Sequence, residues 1–352
     1  MIAIKKTSPY VRKETSTKRM MVDVLIALLP ILIFAVYKYS YTYLLKAVVV
    51  SAVAVAAESL MILIMKRQKG VTLKQTFKNN YTINNIVPPI ITALIFLFTL
   101  PATISYYVLI VGILFAIVIV KMLFGGLGQN FLNPAGAARI FVGLALASFF
   151  TYQNVDGLAG STTLGTAYPD VLNSYSLLDL FIGNIPGSSG EISKAAILLG
   201  GVYLLIRRSA DYRPVVSSLS IFAVIIFFAG LGLGYGADSF RFTLYHLLSG
   251  GLLFGVFFMA TDPVTSPYTR PGRLIFGFII GALVAIIRLF GALPEGMVFA
   301  LLIANVFVGL IDYKKWTTNV YTKRFAIGYA MMIVAVTFIV FVGIGGLRWI
   351  KY

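Results

Sequence analysis

The side chains of this sequence that are best suited to chemistry lie in one polar segment between long apolar stretches. The segment reads DGLAGSTTLGTAYPD and places the carboxylate of Asp156 six residues before the hydroxyl of Thr162. Gly160 and Ser161 directly precede Thr162, and Thr163 directly follows it. Because Asp, Gly, Ser and Thr favour turns, these residues alone predict a surface loop. They do not by themselves identify a reaction.

A second group of candidates consists of charged residues in apolar surroundings. The candidates of this kind, within or at the ends of apolar stretches, are Asp23, Lys46, Glu58, Arg139, Arg288 and Asp312. A charge at bilayer depth costs at least about 2.5 kcal/mol, so Glu58 and Arg139 are functional candidates. Asp23 and Asp312 stand at the ends of stretches, where a carboxylate can instead reach the membrane surface.

The composition predicts the elements that must position these residues. Of the 352 residues, 59% are apolar and 12% are charged. Apolar stretches recur along the chain, and most are long enough to cross a hydrocarbon core of roughly 30 Å as a helix. They do not alternate in polarity as the strands of a membrane barrel would. We therefore predict an all-α fold, a polytopic transmembrane helical bundle that forms one membrane domain over residues 1–352.

The charges and the missing cysteines exclude several classes of function. The net charge of +17 resides in short segments between apolar stretches, so it indicates membrane topology and not binding to nucleic acid. The sequence has no Cys, which excludes disulfides and thiolate-bound iron–sulfur or zinc sites within this chain. We predict no metal site.

The order of apolar stretches predicts ten or eleven membrane spans. They lie at residues 21–40, 41–65, 86–100, 104–122, 134–150, 195–206, 214–233, 244–261, 273–292, 296–312 and 325–347. The basic residues of 1–20 place the N-terminus in the cytoplasm. Residues 151–193 then fall outside, and they contain four acidic residues but no Lys or Arg. The side of the C-terminus stays open.

An internal repeat is the strongest pattern in the spans. Residues 123–143 align without gaps to residues 289–309, with eight of 21 positions identical. The two copies begin on opposite sides of the membrane, which predicts an inverted repeat, here residues 21–150 and 194–324 followed by one additional span. Inverted repeats are typical of transporters. Chance similarity between Gly-rich and Ala-rich helices is the alternative.

Two proline motifs predict interrupted helices. One is Asn133-Pro134 at the start of a span, and the other is TDPVTSP at residues 261–267. A proline frees main-chain groups, and inside a membrane such groups must face protein or a water-filled cavity. Interrupted helices therefore tend to line sites. An ordinary loop at the membrane surface is the alternative.

Together these motifs resemble the RnfD and NqrB family of membrane subunits in ion-translocating electron-transport complexes. The resemblance covers the GGLG and NPA motifs of residues 125–135, TDPVTSP, the stretch at 273–305 and the threonine segment. A length near 350 residues fits the RnfD branch of the family better than the longer NqrB branch.

The resemblance implies a cofactor, its attachment residue and partners. In this family a flavin transferase joins FMN to a threonine through a phosphoester, and the matching residue is Thr162, with Asp156, Gly160 and Ser161 as its motif and Thr163 as the competing acceptor. A noncovalent riboflavin is also implied. The expected partners are the other subunits of an Rnf complex, including a second flavoprotein, in a bacterial cytoplasmic membrane.

The function implied by the resemblance is electron relay within a ferredoxin:NAD oxidoreductase that translocates Na+ or H+. On this interpretation the chain is a subunit that is not active alone. A solute permease or channel with no redox role uses the same inverted-repeat architecture, so the spans themselves leave both functions open. A flavin-free assembly scaffold is a third interpretation.

Overall fold

The computed structural model describes residues 16–67, 70–81, 85–149, 152–153, 159–160, 171–291, 296–313 and 318–350. About three quarters of this part of the chain is helical. The helices are α1 Thr17–Tyr39, α2 Tyr41–Met65, α3 Leu73–Asn80, α4 Val87–Phe98, α5 Tyr106–Leu114, α6 Pro134–Ala145, α7 Val171–Ser174, α8 Leu177–Ile182, α9 Lys194–Ile206, α10 Tyr212–Leu233, α11 Ser239–Leu248, α12 Leu252–Phe258, α13 Arg270–Phe290, α14 Met297–Ile311 and α15 Lys323–Ile350. A π-helix, Phe115–Met122, continues α5. Two short strands, β1 Tyr152–Gln153 and β2 Ala159–Gly160, form an antiparallel pair.

The predicted polytopic helical bundle is confirmed, and each predicted apolar stretch contains at least one helix in the described residues. Within the described ranges, five helices are long and apolar enough to cross a membrane, namely α1, α2, α10, α13 and α15. The pair α11 and α12 is bent by 55°. The other apolar helices are shorter: α4 and α6 have 12 residues each, about 18 Å at roughly 1.5 Å per residue. Such helices cannot cross a membrane alone.

Proline and polar caps set the ends of the short helices. Pro88 and Pro89 occupy the first turn of α4, where their missing N–H groups would have no helical partner in any case. The side chain of Asn133 accepts a hydrogen bond from Gly136 N and caps α6, whose first residue is Pro134. The predicted interruption at Asn133-Pro134 is therefore present.

The second predicted interruption separates α12 from α13. Helix α12 ends at Phe258, and the TDPVTSP motif forms a turn before Thr269 caps α13. All seven residues of α12 are buried. This break therefore lies against the protein interior, as irregular backbone in a membrane protein must.

The structure reveals a further repeated motif that the sequence patterns above do not include. Residues 99–103 read TLPAT and follow α4, whereas residues 261–265 read TDPVT and follow α12. Both are T-x-P-x-T sequences between a short buried helix and a longer helix. We name them the first break and the second break. They extend the predicted repeat by one helix on its N-terminal side.

The two copies of the repeat are in contact, and their last helices run antiparallel. At one end of the contact, Asn133 N lies 3.1 Å from Asn305 Oδ1. Further along α6, Gly136 faces Val298 and Leu302, which come earlier in α14. The opposite chain directions agree with an inverted repeat.

Glycine at the contact between α1 and α9 leads to a first prediction. A Cβ atom at Gly200 would lie 2.1 Å from the carbonyl oxygen of Ala27, whereas a Cβ at Gly309, on α14, would meet nothing within 4 Å. We expect Gly200→Ala to destabilise the protein by roughly 1–3 kcal/mol through overpacking, and Gly309→Ala to have little effect. Thermal unfolding of the two detergent-solubilised variants measures this. Equal melting temperatures would contradict the close packing of α1 on α9.

Candidate functional site

Of the predicted flavin segment, the structure describes only Ala159 and Gly160. Strand β1 pairs with β2 in the register Tyr152 to Gly160, so the backbone of Gly160 lies in a short antiparallel ladder. Asp156, Ser161 and Thr162, together with the competitor Thr163, lie outside the described residues. The attachment site therefore stays a prediction.

A cavity of about 100 Å³ lies beside the second break. Its walls come from the start of α1, from α4, from the start of α6 and from the second break itself. Most of the lining is apolar, and the polar groups include Lys121, Asn130, Asn133 and Asp262. Both predicted interruptions thus border one cavity, which makes it the best candidate for a binding site in the described part of the protein.

Buried Asn305 connects the two interruptions behind this cavity. Its Oδ1 accepts a hydrogen bond from Asn133 N at 3.1 Å, and its Nδ2 donates to Thr265 O at 2.9 Å. One amide therefore satisfies main-chain groups of α6 and of the second break at once. The sequence repeat aligns Asn305 with Arg139.

Arg139, predicted as a functional candidate, supports the first break. Its Nε donates to Thr99 O at 2.8 Å. Lys46 supports the same break from α2, because its Nζ donates to Ala102 O at 2.6 Å and to Ile104 O at 2.8 Å. Both cations thus satisfy carbonyl oxygens that the break after α4 exposes.

Glu58, the other predicted candidate, forms an ion pair with Lys121. The Nζ of Lys121 lies 2.6 Å from Glu58 Oε2, and neither side chain is more than 3% exposed. Lys121 borders the cavity at the second break, while Glu58 borders a neighbouring cavity that Lys66 also lines. The pair therefore separates two cavities. The sequence did not indicate Lys121 because it lies in a π-helix, and π-helices are frequent at functional sites but leave no simple sequence period.

The two carboxylates at the ends of stretches are buried inside the protein. Asp23 accepts a hydrogen bond from Ser209 Oγ at 2.5 Å and pairs with Arg207 at 3.3 Å. Asp312 accepts from Tyr268 N at 2.7 Å and from Thr269 Oγ1 at 2.5 Å. Each connects the end of one helix to another element and has a structural role.

The buried ion pair leads to a second prediction. We expect Glu58→Gln to destabilise the protein by roughly 3–5 kcal/mol, because it leaves the Lys121 ammonium buried without its counter-charge. Adding Lys121→Met should recover much of that loss, since no uncompensated charge then remains at the pair. Melting temperatures of the single and double variants measure this. A double variant less stable than Glu58→Gln would show that the pair is not the relevant interaction.

Similar proteins include subunits of two kinds of complex. The chain is 35% identical over 319 residues to the D-type subunit of the Na(+)-translocating ferredoxin:NAD(+) oxidoreductase complex of Acetobacterium woodii, an alignment that covers 87% of this chain and 91% of that protein. It is 42% identical over 236 residues to the B-type subunit of the Na(+)-translocating NADH-quinone reductase of Chromohalobacter salexigens, and 39% identical over 251 residues to that of Pseudoalteromonas atlantica. Those alignments cover 63% and 68% of this chain but only 57% and 62% of the quinone reductase proteins.

The family model for NQR2, RnfD and RnfE matches residues 4–321, which includes both breaks, the cavity and the threonine segment. The repeat, the motifs at the breaks and every described helix except α15 lie within the matched region. This multi-pass membrane protein therefore belongs to the NQR2, RnfD, RnfE family.

Proposed function

We propose that this chain is the D-type membrane subunit of an Rnf complex, which passes electrons between ferredoxin and NAD and translocates Na+ or H+. The observation that carries the proposal is the alignment to the D-type protein of Acetobacterium woodii over 91% of that protein's length. The quinone reductase proteins leave more than a third of their own length unmatched. This difference favours the Rnf type over the quinone reductase type.

Within such a complex the chain acts as an electron relay. We propose that Thr162 carries FMN through a phosphoester, with Asp156, Gly160 and Ser161 as the surrounding motif. The β1–β2 ladder supports this, because it ends at Gly160 and so anchors the backbone just two residues before Thr162. Glycine lets the backbone approach a phosphate, and Asp156 is suited to bind the metal–nucleotide donor during transfer.

A second flavin, held without a covalent bond, is proposed for the cavity at the second break. The chemistry of the lining supports this proposal, and the cavity of about 100 Å³ must widen to admit the three-ring system of a flavin. Apolar side chains suit the faces of an isoalloxazine ring, and the polar groups of Lys121, Asn130 and Asp262 suit its hydrogen-bonding edge. When bound, the flavin supplies the redox chemistry, whereas the protein binds it, orients it and excludes water.

The proposed partners follow from the assembly. They are the other subunits of the Rnf complex, among them a second flavoprotein that delivers electrons, and a flavin transferase that loads FMN. The membrane-embedded bundle with its breaks then provides part of the ion path. A permease without redox function remains the competing hypothesis, and the presence of bound flavin decides between them.

The covalent flavin leads to a third prediction. In protein purified from cells that contain the flavin transferase, we expect an FMN-sized mass adduct on the peptide that contains Thr162. Thr162→Ala should remove the adduct, and Thr163→Ala should retain it. Peptide mass spectrometry measures all three proteins. An unmodified wild-type peptide would favour the permease. An adduct that Thr162→Ala keeps and Thr163→Ala loses would move the attachment to Thr163.

The noncovalent flavin leads to a fourth prediction. Ala210 lines the cavity from the loop between α9 and α10. Because a phenyl ring there occupies the cavity, we expect Ala210→Phe to lose most of the flavin that acid precipitation releases, while the covalent FMN stays on the protein. Chromatography of released flavin measures this. Leu199→Phe, on an exposed face of α9, is the matched control. Full retention of releasable flavin in Ala210→Phe would place that flavin elsewhere.

A further inference from the structure

The two breaks differ in what lies beside them. A cavity borders residues 261–264 of the second break. At the equivalent turn of the first break, Gly190 N donates to Phe98 O at 2.9 Å and Ser189 N donates to Leu100 O at 3.0 Å. The space that is a cavity beside the second break is therefore occupied by protein beside the first break. The filling segment is residues 187–191, which we name the plug.

The plug is buried and fits closely against α4. Ser188 is 0% exposed and Ser189 is 1% exposed, although both belong to a connection between helices. A Cβ atom at Gly190 would lie 2.2 Å from the Cβ of Phe98, so only glycine permits this approach. A connection buried in this way must find partners for its main chain, and the carbonyl groups of the first break provide them.

Side chains hold the plug in its place. Ser189 Oγ donates to Leu100 O at 3.0 Å, so the 2.5 Å hydrogen bond between Ser189 and Tyr43 is donated by the tyrosine hydroxyl. Beyond the plug, Lys194 Nζ donates to Glu191 O and to Gly250 O. These polar contacts can be exchanged for water, unlike a packed apolar core. The plug is thus fixed by bonds that can open.

Only a few aromatic rings separate the plug from the cavity. Phe258 lines the cavity and stacks on Phe254, with 5.4 Å between the ring centroids. Phe254 in turn meets Phe98 edge to face at 6.1 Å, and Phe98 contacts the plug. On α4, Ile95 borders the cavity just three residues before Phe98, or about 4.5 Å along the helix. The plug and the cavity thus lie on opposite sides of one thin layer of packed aromatic rings.

We propose that the plug is a gate for the translocated cation, Na+ or H+, and that it withdraws from the first break during turnover. In the state that the structure represents, the plug closes the first break, while a cavity is present beside the second break. This inference rests on the proposed function, because it assigns part of the ion path to this chain.

The experiment uses the absence of native cysteine in the chain. Ser188→Cys places a thiol in the plug, and Ile182→Cys places one on the 50% exposed surface of α8. Membranes that contain the whole complex are opened by freezing and thawing and treated with a charged maleimide, at rest and with electron donor and acceptor present. Electron transfer and the FMN adduct are measured on the same samples, so a failure of the proposed function is recognised separately.

At rest, we expect Ser188→Cys to react far more slowly than Ile182→Cys. During turnover its rate should rise severalfold while the control stays constant. Tyr43→Phe, combined with Ser188→Cys, should raise the resting rate roughly two- to tenfold, because one hydrogen bond that closes the plug is lost. Should Ser188→Cys fail to assemble, Gly187→Cys at the edge of the plug replaces it. Fast labelling of Ser188→Cys at rest would contradict the proposal that the plug is a gate. So would a labelling rate that does not rise during turnover in a complex that transfers electrons.

Discussion

Main-chain groups that lose their helical partners inside a membrane must be satisfied by protein, and the rest of this structure depends on that constraint. Water is absent from the hydrocarbon core, and an unsatisfied peptide group there costs several kcal/mol. The first break receives Lys46 and Arg139 as donors to its carbonyl groups. The second receives the amide of Asn305. Short helices can therefore end in the interior, and the proposed sites are built at those ends.

This constraint also explains how the buried charges are used. Lys46, Arg139 and Lys194 donate to main-chain carbonyl groups, so their first role is to stabilise irregular backbone. Glu58 and Lys121 instead bind each other between two cavities, where neither is needed to hold a break. A buried pair contributes little net stability compared with apolar packing. Its position at the cavities is therefore better explained by function than by folding.

The sequence predicts most of the architecture because hydropathy and proline act locally. The apolar stretches, Asn133-Pro134 and TDPVTSP all mark features that the structure contains. The first break was missed since Leu100 stands where the second break has Asp262, which hides the similarity. The number of full-length spans was not predictable either, because a 12-residue buried helix is as apolar as half of a long one. The plug consists of Gly and Ser, which are typical of surface turns, and only tertiary contacts reveal its burial.

The alignment of Arg139 with Asn305 has a consequence for how the two halves diverged. A duplicated ancestor with identical halves would have had the same residue at both positions. Two asparagines would leave the first break without the cation that now binds Thr99 O, and two arginines would place a second positive charge in the protein interior, beside Asn133. With Arg139 in the first half and Asn305 in the second, one half has a cation at this position and the other has a neutral amide. The two halves therefore differ in charge at equivalent positions, and this difference is one of the features that distinguish one end of the bundle from the other.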